Sequence, residues 1–267
     1  MIFYFLCTCL LFLSNLSAMN EVLADLPPEK LYLDLIKRCI TDTVYKDRIF
    51  FDHFKRPDLK NIAPYKPGNE QTMMYFPAAD KLQELIEDVL ANQVPGDFIE
   101  TGVWRGGLTI LMRACLKAYG DTTRTVWVAD SFAGLPKPSN QLDKPYDLSS
   151  FDVLAVSLDQ VKSNFGRYGL LDDQVRFLKG WFKDTLPSAP IKSLAILRLD
   201  GDYYESTMDA LNNLYHKLSI GGYVIIDDFG AIPVCAQAVN EFRAAHGITD
   251  IIYPVDWTGV YWQKTHH

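Results

Sequence analysis

From residue 98 to residue 245 strand-like and helix-like segments take turns, and this alternation restricts the chain to a small set of folds. Phe98-Ile99, Val126 to Ala129, Val175 to Leu178, Leu194 to Leu199 and Tyr223 to Ile226 are short apolar runs of the kind that fill buried strands. Residues 107–118, 153–168, 204–218 and 233–245 read as the helices between them. Two short strands are expected in 250–263, around the Thr258-Gly259 turn. Upstream, 29–46 forms an amphipathic helix with Leu31, Leu33, Leu35, Ile36, Cys39 and Ile40 near helical spacing. Residues 78–92 form another, with Leu82, Leu85, Ile86, Val89 and Leu90 on one face. Residues 47–70 and 133–152 are polar and proline-bearing, and read as loops. Alternating β and α elements imply a mainly parallel sheet covered on both faces. Ligands of such sheets bind beyond the carboxyl ends of the strands, so the residues that end each strand are where chemistry belongs.

At 267 residues and 48% hydrophobic, the chain has material for one sizeable core. Its net charge of −7, with no basic stripe, excludes nucleic acid as a partner. Cys39, Cys115 and Cys235 are isolated and have neither zinc-site spacing nor the look of a disulfide framework, which fits a reducing, cytoplasmic setting. The apolar run Met1 to Ala18 pulls the other way. It has the length of a signal-peptide core, but no Lys or Arg precedes it and Leu-Ser-Ala matches the small-x-small cleavage rule only in part. A mis-assigned start before Met19 and a weak leader explain it equally; a membrane anchor ranks behind both. On any of these readings the first 18 residues are dispensable for catalysis.

The first strand runs into Glu100-Thr-Gly-Val-Trp-Arg-Gly-Gly107. Its glycines allow close backbone approach to a ligand at a helix start. The spacing is not that of G-x-G-x-x-G, and an acidic start suits an amino group or ribose hydroxyls better than a pyrophosphate. A plain glycine turn would account for it equally well. The second strand ends in Ala129-Asp130-Ser131, one βαβ unit later, where nucleoside-binding sheets hold ribose hydroxyls. An N-cap or turn aspartate is the bland alternative; the two features together favour a nucleoside.

Two later strands end in acidic pairs, Asp200-Gly-Asp202 and Asp227-Asp228. If those strands are neighbours, four carboxylates gather at one mouth, and their repulsion calls for a cation. An all-oxygen set without histidine favours magnesium, or another hard divalent cation, over zinc. Asp200, Asp227 and Asp228 suit metal ligation. Asp202, two residues past Asp200, suits a general base for a substrate hydroxyl.

These segments resemble the macrocin O-methyltransferases, which act on the deoxysugars of macrolide and aminocoumarin antibiotics. The resemblance is carried by Val94 to Gly107, Arg124-Thr-Val-Trp-Val-Ala-Asp-Ser-Phe132, Arg167 to Asp173, Phe177-Leu-Lys-Gly-Trp-Phe-Lys-Asp184, Arg198-Leu-Asp-Gly-Asp202 and Gly221 to Asp228. It runs from about residue 30 to the C-terminus and departs in 136–153. It implies a class I S-adenosylmethionine (SAM)-dependent methyltransferase fold, Rossmann-like, with seven strands. It divides the chain into a leader or mis-assigned start at 1–18, a helical, substrate-covering segment at 19–75 and a methyltransferase domain at 76–267. It implies SAM contacts from Thr72, Met73, Glu100, Thr101, Gly102, Asp130, Ser131, Gly180, Trp181 and Phe182, and a substrate contact from Tyr45, in a homo-oligomer. Core packing would equally explain Trp181, Phe182 and Tyr45. The expected acceptor is a sugar or glycoside hydroxyl.

Three other classes compete. A catechol-type O-methyltransferase shares the fold and the metal logic, but a lysine near the metal would favour it, and Asp202 stands there instead. A non-catalytic SAM-fold protein has no reason to keep all four aspartates. A metal-dependent phosphoesterase needs basic groups for phosphate, and Arg105 is the obvious one.

Overall fold

A computed structural model describes residues 26–44 and 67–266. Tyr45, the apolar run 1–18 and most of the loop 47–70 lie outside them. The elements are α1 (Pro28–Ile40), α2 (Phe76–Ala91), β1 (Asp97–Thr101), α3 (Gly107–Ala118), β2 (Val126–Asp130), α4 (Leu158–Arg167), β3 (Val175–Lys179), α5 (Phe182–Thr185), β4 (Leu194–Leu199), α6 (Tyr204–Leu214), β5 (Leu218–Ile226), α7 (Pro233–Ala245), β6 (Tyr253–Pro254) and β7 (Val260–Gln263).

The described residues form a seven-stranded sheet in the order β3-β2-β1-β4-β5-β7-β6. β1 to β5 run parallel, and β7 pairs antiparallel with both β5 and β6. The strand order reverses between β1 and β4, which opens the crevice where such sheets bind ligands. The register sets what meets there: Thr101 pairs with Leu199, and Leu199 with Ile226. Gly102, Asp200 and Asp227 therefore each sit one residue past the last paired rung.

Side-chain alternation along the strands feeds two cores. Phe98, Val126, Val128, Ile196 and Ile225 face a layer built from α1 to α4. Ile99, Trp127, Ala129, Leu197, Leu199 and Ile226 face the other, where Leu211 and Leu214 of α6 and Val239 and Phe242 of α7 close over them. Leu33, Ile36 and Ile40 of α1 belong to the first core, so the N-terminal helix packs into the same body as the sheet. Residues 67–75 are laced to that body by backbone bonds: Gln71 N–H donates to Ile40 carbonyl at 2.7 Å, and Gly107 N–H to Gln71 carbonyl at 2.8 Å. A Cβ on Gly107 would come within 2.6 Å of the Gln71 oxygen, so this crossing requires glycine.

Element boundaries differ from the periodicity reading, most of all in α1, α4, α6 and β5. Helix α1 stops at Ile40 rather than 46: the Thr41 hydroxyl bonds back to the Lys37 carbonyl, and Asp42 turns to a positive φ of 57°. Helix α4 begins at Leu158 rather than 153, because Ser157 accepts the Gln160 N–H as N-cap. Helix α6 ends at Leu214, and the chain passes through a single 3-10 turn at Tyr215–Lys217 into β5, which starts five residues earlier than expected. The short helix α5 directly after β3 had no periodic signal at all.

Candidate active site

The donor half forms around the turn after β1. Gly102 holds φ 86°, and a Cβ there would lie 1.7 Å from the Asp200 carbonyl oxygen, so the ends of β1 and β4 approach as closely as they do only because this residue is glycine. Gly106, also at φ 86°, caps α3 in the left-handed region. At the end of β2 the Asp130 carboxylate ties the turn down. Its Oδ2 accepts Val103 N–H at 2.8 Å and its Oδ1 accepts Phe132 N–H at 2.7 Å. Burial raises the Asp130 pKa, and the backbone N–H groups of Val103, Phe132 and Trp104 oppose that rise. Ser131 donates its hydroxyl to Gly134 carbonyl at 2.7 Å.

A cleft opens over this turn. Its empty volume, open mouth included, is about 960 Å³. Met73, Gly102, Asp130, Ser131, Gly180, Trp181 and Phe182, all expected near the cofactor, line it together with Asp200 and Asp202. Trp181 leaves 36% of its surface exposed, an aromatic face open to a ligand. Thr72, Glu100 and Thr101 are buried and outside the lining: the Thr72 hydroxyl accepts Met74 N–H at 3.1 Å, and Thr101 is fully buried.

The acidic half sits at the ends of β4 and β5. Asp200, Asp202 and Asp228 each place a carboxylate oxygen within 4.8 Å of the others. Asp202 takes a positive φ of 58°, which aspartate tolerates better than most residues, and its N–H donates to Asp228 Oδ2 at 3.1 Å. Asp227 is drawn aside. It pairs with Arg198, which is 2% exposed and also donates to Glu100 at 2.5 Å and to Asp200 at 2.9 Å. One guanidinium thus joins carboxylates from three strand ends. Burial works against the Arg198 charge, but Asp227, Glu100 and Asp200 outweigh it and hold its pKa above the ordinary value. Burial raises Glu100 to about 7 even against Arg198, and its Oε2 is buried without a hydrogen-bond partner among the described residues.

Burial is also the first cause of the raised pKa values of Asp202, to about 8, of Asp227 and of Asp228. Mutual repulsion adds to each. Hard carboxylate oxygens gathered this way could hold a divalent cation of the magnesium type.

Sequence reading missed several parts of this arrangement. Arg198 had a signal: a lone charge inside the buried strand Leu-Ala-Ile-Leu-Arg-Leu needs partners. Trp104, Leu135, Lys137, Ser139, Glu205 and Asp209 also line the cleft. Trp104 comes from the glycine turn after β1, and the others from a loop and a helix face whose positions no periodicity encodes.

The reversed strand order, with a glycine turn beside acidic strand ends, is the architecture of a class I SAM-dependent methyltransferase. The solved structure of the O-methyltransferase NovP superposes with a TM-score of 0.81 at 48% identity, covering 89% of this chain and all of that one. A calicheamicin methyltransferase, CalS11, shares the fold at 20% identity and a TM-score of 0.57 over 69% of this chain and 77% of its own. The macrocin O-methyltransferase (TylF) family model matches residues 51–264, and the chain belongs to that family. Relatives include an 8-demethyl-8-(2,3-dimethoxy-alpha-L-rhamnosyl)-tetracenomycin-C 4'-O-methyltransferase of Streptomyces olivaceus, 52% identical over 88% of this chain and 93% of its own. A demethyldecarbamoylnovobiocin O-methyltransferase of Streptomyces niveus is 49% identical over 88% and 94%. The protein is an O-methyltransferase. Among the described residues, no helix is long and apolar enough to cross a membrane.

Proposed function

We propose that this enzyme transfers the methyl group of SAM to a sugar hydroxyl of a glycosylated small molecule, with a divalent cation, magnesium by its donor set, at the acidic strand ends. The observation that carries the reading is the gathering of Asp200, Asp202 and Asp228 in and beside the cleft that Asp130, Ser131, Trp181 and Phe182 also line or border. The activity named for the Streptomyces olivaceus relative, on a rhamnosyl tetracenomycin, supports a glycoside as the acceptor.

In this reading Asp130 accepts hydrogen bonds from the ribose, and the Trp181 and Phe182 rings flank the donor. Asp200, Asp227 and Asp228 would hold the cation, with Asp227 offering the oxygen that Arg198 leaves free. When bound, the cation lowers the pKa of a coordinated hydroxyl. Asp202 takes the hydroxyl proton onto its carboxylate. The new O–CH3 bond forms as the S–CH3 bond breaks, and the sulfonium leaves as a neutral thioether. Such an in-line displacement needs mainly positioning. A second division of labour is favoured by the spacing within the cluster: Asp202 is the third ligand, and Asp227 serves Arg198.

Methyl transfer from labelled SAM across a panel of glycosides and phenols tests the acceptor class. Label on glycosides is the expected result. Label on phenols alone would move the enzyme to the catechol type.

A further inference from the structure

The loop after β2 is fastened to the start of α6 by a residue outside the chemistry described so far. Asp143 is fully buried. Its Oδ1 accepts Tyr204 N–H at 2.7 Å, and its Oδ2 accepts Glu205 N–H at 3.1 Å and the Asn140 amide at 2.6 Å. Asn140 returns the contact by accepting Asp143 N–H at 2.9 Å. Helix α6 has no cap of its own, since its N-cap position is Tyr203 and no side chain there accepts a bond. Asp143 supplies the missing acceptor from 61 residues away in sequence. Two further ties follow the same line: Leu148 N–H donates to the Tyr203 hydroxyl at 2.7 Å, and the Ser139 hydroxyl donates to Glu205.

The fastened parts are two walls of the cleft. The loop contributes Leu135, Pro136, Lys137 and Ser139, and α6 contributes Glu205 and Asp209. Helix α6 starts two residues after Asp202. We propose that Asp143 is a positioning residue for the acceptor. By capping α6 in trans it fixes the loop wall against the helix wall and sets the width of the acceptor end of the cleft. This rests on the methyl-transfer reading of the same cleft.

The test compares the full-length wild type with Asp143→Ala and Asp143→Asn. The Asn variant keeps one acceptor oxygen and serves if Ala fails to fold. The measurements are hydrogen exchange of residues 133–157, SAM affinity by calorimetry, and KM and kcat for a glycoside that the labelled panel shows to be methylated. Loss of a cap predicts exchange and acceptor KM both raised about tenfold in the Ala variant, less in Asn, with SAM affinity and kcat nearly unchanged. Unchanged exchange would show that Asp143 fastens nothing. Looser exchange with an unchanged acceptor KM would show that the loop does not set the acceptor wall. A parallel loss of SAM affinity would mark general destabilisation and also overturn the proposal. If wild type methylates no glycoside, the acceptor reading is the one that fails, and the exchange measurement still decides whether the fastening exists.

Discussion

At the end of β2, Asp130 has its charge answered locally: the backbone N–H groups of Val103 and Phe132 each meet one of its oxygens. At the ends of β4 and β5 the supply is thinner. Arg198 serves Glu100, Asp200 and Asp227 at once, Asp228 receives one N–H from Asp202, and the Asp202 carboxylate accepts no hydrogen bond from the described residues. Both sites are strand-end aspartates at one mouth of one sheet. The contrast teaches that position alone does not give a carboxylate its role. A carboxylate whose donors are built in can stand alone and offer its remaining lone pairs to neutral hydroxyls. Carboxylates crowded with few donors are a set that a cation could satisfy.

The sharpest way to break this contrast is at Asp202. If it is the base, Asp202→Asn should lower turnover by roughly 10²–10⁴ and leave metal and SAM binding nearly intact. Asp200→Asn should instead weaken metal binding and be partly rescued by extra magnesium. Rescue of Asp202→Asn by magnesium would make Asp202 a ligand, and near-normal turnover would leave activation of the hydroxyl to the cation alone.

A smaller effect is expected where the two halves touch. Gly102→Ala drives a Cβ into the Asp200 carbonyl oxygen and imposes a side chain at φ 86°. Thermal unfolding should show a loss of about 1–3 kcal/mol, and SAM affinity and metal affinity should fall together. A loss confined to one ligand would show that the halves are more independent than their contact suggests.

Asp130→Ala should be the mildest. Removing a charge-assisted hydrogen bond should weaken SAM binding on the order of tenfold, as read by calorimetry, without altering the metal requirement. Unchanged affinity would leave Asp130 as a tie for the glycine turn.

The strand ends were legible in the sequence because a buried parallel strand writes itself as an unbroken apolar run, and the first acid after it marks the mouth. Asp130, Asp200, Asp227 and Asp228 were found this way, and the β4–β5 adjacency that unites two pairs follows from the register. What stayed hidden depends on partners far apart in the chain. The loop 133–152 looks unstructured, with three prolines and many polar residues. Its order comes from Asp143 reaching the N–H groups of α6, and no local pattern announces an acceptor that far from its donors. Arg198 was visible but its three partners were not, since they come from three strands.

The most direct test separates the two halves in one sample. SAM affinity by calorimetry and methyl transfer to a glycoside are measured with and without EDTA, then after magnesium is restored. SAM should bind in chelator, because Asp130 and the glycine turn need no ion, while turnover should vanish and return with magnesium. Full turnover in chelator would contradict the account.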